Sequence, residues 1–163
     1  GLGITATSAV KPNYGVRVPY STKDANGKNQ TYSNYANVKV RVLNGTKFVG
    51  FAKAVSTALS NRQFKVTGWD NYKGKKVERT TIYFSKNAIN EAYTLNTNFT
   101  DAVMVMDDRD DKLIDVVLGA SFNDLANKDS LPSSDTAIDN FEGCVPVQSM
   151  GTLPKALDHE KVE

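Results

Sequence analysis

The sequence predicts an α+β domain in which strands and helices follow one another as strand, helix, strand, strand, helix, strand between residues 38 and 122. Two observations predict this class. Apolar and polar residues alternate in short segments, which is the period of a half-buried strand. Longer segments between them repeat apolar residues at helical spacing. Two strand–helix–strand units in this order predict a ferredoxin-like βαββαβ sandwich, with both helices on one face of a mixed or antiparallel sheet.

The first unit begins with the alternating run at residues 38–43, which predicts a strand. The Asn44-Gly45-Thr46 turn follows, and the Thr46 hydroxyl is placed to cap a helix of about four turns. The missing side chain of Gly50 is expected to let this helix approach a strand closely. The alternating run at 64–69 predicts the second strand. The helix itself is indicated by apolar residues at helical spacing: Phe48, Phe51, Ala52, Val55, Ala58 and Leu59.

The second unit begins at residues 80–84, where β-branched and aromatic residues predict a strand. Ser85 is placed to cap the next helix. The short apolar run at 103–106 is either a fifth strand or the end of a loop, and residues 113–118 close the domain as a strand. The apolar stripe of the second helix consists of Ala88, Ile89, Ala92, Tyr93 and Leu95.

Two extensions flank this domain, which we expect to span residues 38–125. Residues 1–37 are rich in small polar residues and glycine, which predicts an extended arm that can form a two-stranded β ribbon. Residues 126–163 contain few apolar residues and several prolines, so we expect an irregular C-terminal tail.

Composition narrows the class of protein. The net charge of +2 argues against a dedicated nucleic-acid binder, which usually carries a dense basic face. The one cysteine excludes an intramolecular disulfide, and the sequence contains no run of about 18 apolar residues that could span a bilayer. The chain does not begin with Met, which fits a form cut downstream of a signal or membrane anchor, and fits a trimmed cytosolic protein as well.

Residues of the types used in catalysis are sparse. His159 lies in a charged C-terminal segment and Cys144 has no histidine near it in sequence, so a solvated histidine and a small, partly buried thiol are expected. The acidic run at 107–111 lacks the glycine and glutamate of a calcium loop and is expected to be a solvated loop tip. The sequence therefore predicts no catalytic residue, no metal site and no cofactor.

Two segments are candidate ligand sites. The first is a strand-to-helix turn, where free backbone N–H groups favour an anion, although a purely structural turn is the alternative. It comprises Arg41, Asn44, Gly45, Thr46 and Lys47. The second is a basic hairpin that suits a phosphate-bearing polymer, or is simply a soluble loop tip. It comprises Lys73, Lys75, Lys76 and Arg79.

The order of elements also allows bases to stack on sheet aromatics, as in RNA-recognition modules. Trp69 and Tyr83 are the aromatic residues that such a surface would use. Because the net charge is nearly balanced, we do not expect nucleic acid as a partner.

Three motifs occur in a fixed order: Val40-x-Val42-x-Asn44-Gly45-Thr46, then residues 80–84, then the run from Asp115 through Leu118-Gly119-Ala120 to Phe122. Over residues 38–122 they resemble the LytR C-terminal domain family. The chain departs from that family at two places. Arg62-Gln63 stands where a small residue and a glycine are usual before the second strand, and Ser121 stands where aspartate is frequent.

The resemblance implies a non-catalytic domain outside the membrane of Gram-positive bacteria, found after LytR-CpsA-Psr phosphotransferase domains or alone behind one membrane helix. We therefore expect an extracytoplasmic cell-envelope domain, held at the plasma membrane by an anchor outside this chain. Its expected partner is a cell-wall glycopolymer, peptidoglycan or an envelope protein. The alternative is an accessory domain that assists a LytR-CpsA-Psr-type phosphotransferase in attaching wall glycopolymers.

Overall fold

A computed structural model describes residues 30–134, 136–138 and 151–162. Within these residues, five strands form one sheet and two helices connect them. The strands are β1 (Lys39–Asn44), β2 (Lys65–Asn71), β3 (Thr80–Phe84), β4 (Ala102–Met106) and β5 (Ile114–Leu118). The helices are α1 (Phe51–Asn61) and α2 (Ile89–Asn96). Neither helix is long and apolar enough to cross a membrane.

The strands lie in the order β2-β1-β5-β3-β4. β1 pairs in parallel with β2 and β5, β3 pairs in parallel with β4, and β3 and β5 are antiparallel. Each helix therefore joins two strands that are direct neighbours in a mixed sheet. The predicted α+β class, with two helices and a mixed sheet, is confirmed.

The predicted ferredoxin-like pairing is not what the sheet shows. In that split arrangement another strand lies between the two strands of each unit, whereas β1 bonds directly to β2 and β3 directly to β4. The run at 103–106 forms β4 and completes the second unit, and β5 fills the centre of the sheet. Alternation of side chains specifies which residues share a face, but it does not specify which strands are neighbours.

One face of the sheet carries the apolar core beneath both helices. Val40 and Val42 of β1 lie in register with Ile114 and Val116 of β5, and Val116 lies in register with Ile82 of β3. The apolar side chains that α1 and α2 bury belong to the same cluster as this face, so both helices cover it. Full burial of each large side chain stabilises the fold by about 1.5–3 kcal/mol. This core fixes the position of α1 relative to β1 and β2.

Helix α1 begins later than the sequence predicts. It spans 11 residues from Phe51, and its N-cap is Gly50, whose φ of 89° is a left-handed conformation that glycine adopts readily. The predicted cap at Thr46 is therefore wrong. The predicted close approach of a strand to Gly50 does not occur either, because no atom lies within 4 Å of where the Cβ of this residue would be. Ser85 likewise precedes α2 rather than capping it, since the N-cap is Ala88.

The end of α1 shows the cost of one departure from the family pattern. Gln63 follows the C-cap Arg62 with a φ of 82°, a conformation that costs a residue with a side chain about 1–2 kcal/mol. Glycine is the usual residue in this position. We expect Gln63→Gly to raise the free energy of unfolding by about 0.5–1 kcal/mol, because the relief of strain exceeds the added entropy of the unfolded chain. Urea denaturation measures this change, and a less stable Gln63→Gly protein would contradict it.

The C-terminal strap, residues 151–162, contains no helix or strand and lies along the acidic loop at 107–111. The Asp108 amide donates to the Pro154 carbonyl at 2.9 Å, and the Ala156 amide donates to Asp108 Oδ1 at 2.8 Å. The sequence predicts a solvated loop tip here, but this loop is held by the strap. Of the predicted arm, residues 1–29 lie outside the described residues, and so does Cys144.

Candidate functional site

The predicted anion-binding turn uses its polar groups internally. Asn44 Oδ1 accepts hydrogen bonds from the Thr46 amide at 3.0 Å and from Thr46 Oγ1 at 2.7 Å. Thr46 Oγ1 in turn accepts from the Phe48 amide at 3.0 Å, and Asn44 Nδ2 donates to the Phe48 carbonyl at 2.8 Å. Both side chains are buried. These contacts agree with the structural alternative for this turn, and a ligand role for it stays a prediction.

Gly45 is required by a close approach of chain segments. Its amide donates to the Leu118 carbonyl at 3.0 Å and its carbonyl accepts from the Val77 amide at 2.9 Å. A Cβ at this position would stand 2.6 Å from the Leu118 carbonyl oxygen, which is too short for any side chain. Lys47 points elsewhere, with its Nζ 5.8 Å from the centre of the Phe48 ring in a cation–π contact.

Arg41 is not part of the turn, because it lies on the sheet face opposite the helices. Its Nε contacts Asp115 Oδ1 at 2.7 Å, and its Nη2 donates to the Asp158 carbonyl of the C-terminal strap at 3.0 Å. Asp115 Oδ2 also contacts Arg109 Nη2 at 3.1 Å, and Arg109 Nε contacts Asp107 Oδ1 at 2.8 Å. Four charged groups thus form one network in which Asp107, Arg109 and Asp115 are almost fully buried.

The charges of this network are mutually stabilised. Burial acts to lower the pKa of Arg109, but the hydrogen bond to Asp107 and the charge of Asp115 outweigh it and raise this pKa above its ordinary value. Arg109 therefore keeps its positive charge between two carboxylates. A buried arginine with both carboxylates paired serves the structure.

His159 and Asp111 form a second buried pair. His159 Nε2 lies 2.8 Å from Asp111 Oδ1, and the two side chains are only 6% and 4% exposed. The expectation of a solvated tail histidine is therefore wrong. A histidine beside a carboxylate is part of some catalytic triads, but His159 Nδ1 contacts the Leu157 carbonyl at 2.6 Å. With both ring nitrogens engaged, neither is open to accept a proton from a nucleophile.

The predicted basic hairpin is a crossover rather than a hairpin. It connects β2 to β3, which are separated in the sheet by β1 and β5. Its three lysines, Lys73, Lys75 and Lys76, are exposed, whereas Arg79 is half-buried and paired with Asp101. The loop thus exposes the three lysines and holds Arg79 in an ion pair.

A surface groove that the sequence did not indicate lies between α1 and β2. It consists of two adjoining clefts of about 290 and 280 Å³ that share Trp69. We call it the α1–β2 groove. Polar side chains and Trp69 dominate the larger cleft: Ser56, Thr57, Ser60, Asn61, Thr67 and Trp69.

Trp69 lies in the middle of the α1–β2 groove with 52% of its surface exposed. It is in register with Val42, so its side chain is on the helix-covered side of the sheet. Within the described part of the chain β2 is an edge strand, which leaves Trp69 uncovered. Tyr83 is in register with Asp115 and so lies on the opposite face. The stacking surface of RNA-recognition modules is therefore not formed by these two aromatics.

Ser56 adds an unusual feature to this groove. Its side chain is buried in α1, and its Oγ has no hydrogen-bond partner among the described residues. A buried hydroxyl without a partner costs about 1–3 kcal/mol. By contrast, Thr57 Oγ1 donates to the Lys53 carbonyl at 3.1 Å. The groove therefore contains one polar group that its surroundings do not satisfy.

A third cleft, of about 350 Å³, lies on the other side of the sheet edge between the strap and the β2–β3 loop. Arg41 lines it, but that guanidinium is already held by Asp115 and by the Asp158 carbonyl. Asp70 lines it too and accepts from the Asn71 amide at 2.8 Å. Two of the charged side chains that line this cleft, Arg41 and Asp70, are thus already engaged. The described residues contain no group of histidine, cysteine, aspartate or glutamate that could hold a metal ion.

These features define a small α+β domain with an accessible polar groove and with its buried charges held in ion pairs. The family described as the LytR cell envelope-related transcriptional attenuator matches residues 37–122, and the chain belongs to this LytR C-terminal family. The resemblance predicted from the sequence is thereby confirmed.

A solved structure gives an independent comparison. The soluble domain of a conserved hypothetical secreted protein from Mycobacterium marinum is similar, with a TM-score of 0.56 and 26% sequence identity. The alignment covers 68% of this chain and 82% of that chain. No curated protein matches this chain in sequence.

Proposed function

We propose that this chain is a non-catalytic, extracytoplasmic domain of a Gram-positive cell-envelope protein, which binds a cell-wall glycopolymer or peptidoglycan through the α1–β2 groove. Family membership supports a role in the cell envelope, and the secreted neighbour supports a location outside the cytoplasm. An anchor outside this chain would hold the domain at the plasma membrane. An envelope protein is the other partner class that such a surface could bind.

The exposed tryptophan in a polar groove carries this proposal. Trp69 offers a flat apolar surface in the middle of hydroxyl and amide side chains. Binding sites combine apolar contact area with a few polar groups that fix orientation, and tryptophan is frequent among residues that dominate binding energy. The engagement of Arg41, Arg109 and His159 in structural contacts supports the non-catalytic part of the proposal.

Co-sedimentation with purified, insoluble cell wall tests the proposed function. We expect the chain to sediment with the wall, and Trp69→Ala to weaken retention about tenfold or more, since loss of a binding hot spot costs about 2 kcal/mol. Val49→Ala is the matched control, because Val49 is 99% exposed and lines neither cleft of the groove. Failure of the unmodified chain to sediment at any salt concentration would contradict wall binding.

The lysine loop supports a second candidate function. Lys73, Lys75 and Lys76 are all exposed in the loop between β2 and β3, and lysines that are this close in sequence suit a phosphate-bearing polymer. In this alternative the domain assists a LytR-CpsA-Psr-type phosphotransferase by holding its polymer substrate. Stimulation of that enzyme in a reconstituted reaction would support the alternative, and an unchanged rate would contradict it.

A further inference from the structure

We propose that the larger cleft of the α1–β2 groove binds an uncharged sugar, which stacks on Trp69 and shares a hydrogen bond with the Ser56 hydroxyl. This inference rests on the proposed function and deepens it, because it names the ligand class as a neutral, polyhydroxylated segment of a glycan. Three observations on the groove lead to it.

The first observation is the position of Trp69. The indole lies where the two clefts of the groove meet and is half exposed. The face of an aromatic ring carries partial negative charge and attracts partially positive edges. The C–H face of a pyranose ring is flat, apolar and weakly positive. Such a ring can therefore cover Trp69 without losing the hydration of its hydroxyl groups, which point outward from its rim.

The second observation is the unpartnered Ser56 hydroxyl. Ser56 is almost fully buried, with a relative exposure of 3%. Its Oγ finds no hydrogen-bond partner among the described residues, and Ser56 is one of the residues that line the larger cleft. A hydroxyl is both a donor and an acceptor, and it is matched best by another hydroxyl or an amide. A sugar hydroxyl entering the cleft would satisfy this group, which the folded chain alone leaves unsatisfied.

The third observation is the absence of charge in the larger cleft. Its described lining consists of hydroxyl, amide, aliphatic and aromatic groups. Charged side chains occur in the adjoining cleft, where Lys53 and Asp70 carry opposite signs. A charged ligand would have to give up its hydration in the larger cleft without gaining an opposite charge. The cleft therefore favours a neutral ligand over an anionic one.

A peptide strand added to the edge of β2 is a competing occupant. The pairing of β2 with β1 is irregular between Val40 and Arg41, because Thr67 is an extra residue on the β2 side. Such a bulge bends an edge strand and disfavours the addition of another strand. The irregular edge thus favours a ligand held by side chains over one held by backbone pairing.

Titration with soluble oligosaccharides tests the inference. The probes are the neutral tetramer of N-acetylglucosamine and an anionic uronic-acid oligomer of similar length, and binding is followed by calorimetry and by tryptophan emission. Trp69 is the only tryptophan of the chain, so its emission reports on the groove directly. We expect saturable binding of the neutral tetramer with a change in emission, and at least tenfold weaker binding of the anionic oligomer.

Four variants, one of them the control Val49→Ala, separate the roles of the two residues. Trp69→Ala should weaken tetramer binding at least tenfold, Trp69→Phe should retain most of it, and Val49→Ala should leave it unchanged. Ser56→Ala should weaken binding about threefold to tenfold and yet raise the midpoint of thermal unfolding, since it removes an unsatisfied buried hydroxyl. A protein with a purely structural serine would not show this opposite pair of effects.

Specific outcomes would overturn the inference. Retention of the chain by cell wall without binding of the tetramer, or tetramer binding that Ser56→Ala leaves unchanged, would refute the sugar assignment while the proposed function stands. Preference for the anionic oligomer or for an isolated stem peptide would refute it as well. Loss of both wall retention and tetramer binding would refute the proposed function together with the inference.

Discussion

Replacing Arg109 by leucine is expected to lower the free energy of unfolding by about 3–5 kcal/mol, which is the usual effect of removing one partner from a buried ion pair. Arg109 stands between Asp107 and Asp115 with contacts of 2.8 and 3.1 Å, and it also donates to the Leu113 carbonyl at 2.9 Å. Without the guanidinium, the buried Asp107 loses this ion pair and the buried Asp115 keeps its contact with Arg41. Desolvation and mutual repulsion of these carboxylates account for the large expected effect.

Urea denaturation followed by circular dichroism measures this change. Lys161→Leu is the matched control, because Lys161 also pairs with an aspartate, Asp110, but both side chains are about 70% exposed. The control should change stability little, since exposed ion pairs contribute little. An Arg109→Leu protein as stable as the control would show that Asp107 and Asp115 do not depend on this arginine.

Asp111→Asn is expected to release the C-terminal strap and to lower the free energy of unfolding by about 1.5–3 kcal/mol, the value of a hydrogen bond to a charged group. Asp111 Oδ1 contacts His159, and Oδ2 accepts from the Val162 amide at 3.1 Å. Asparagine offers one acceptor oxygen and no charge in place of the carboxylate. Hydrogen exchange of the Val162 amide should accelerate in Asp111→Asn, and unchanged protection would contradict this account of the strap.

The same pair predicts an acid dependence. Burial acts to raise the pKa of Asp111, but the hydrogen bonds from His159 and from the Val162 amide outweigh it and hold this pKa below its ordinary value of 3.8. The stability that Asp111 contributes is therefore fully present above pH 3.8 and is lost as the pH falls through the lowered value. The stability difference between the unmodified chain and Asp111→Asn should shrink over that range. A stability difference that stays constant as the pH is lowered until the protein unfolds would contradict this role of Asp111.

Local patterns in the sequence predict most elements of this domain. Both helices form where apolar residues recur at helical spacing, around Phe51 and Ala92. The strand order could not be predicted from these patterns, because it depends on how the two strand–helix–strand units pack against each other. The sequence predicts too early a start for α1, because Phe48 continues the apolar spacing of the helix. In the structure Phe48 belongs to the turn that ends with Gly50, where it is half exposed.

The candidate site was harder to predict for a physical reason. Trp69 becomes accessible because β2 lies at an edge of the sheet, and edge position is a property of the assembled sheet. Ser56 looks like an ordinary polar residue of the helix, and only its packing shows that it lacks a partner. The contact of His159 with Asp111 joins residues 48 positions apart, which no local pattern indicates.

Nuclear magnetic resonance with solubilised peptidoglycan fragments tests the central claim, wall binding through the α1–β2 groove, most directly. The account predicts that chemical-shift changes concentrate on the Trp69 indole N–H and on the amides of α1 and β2 that line the groove. Changes confined to the Lys73–Lys76 loop or to the Asn44–Lys47 turn, with the Trp69 signal unmoved, would contradict it.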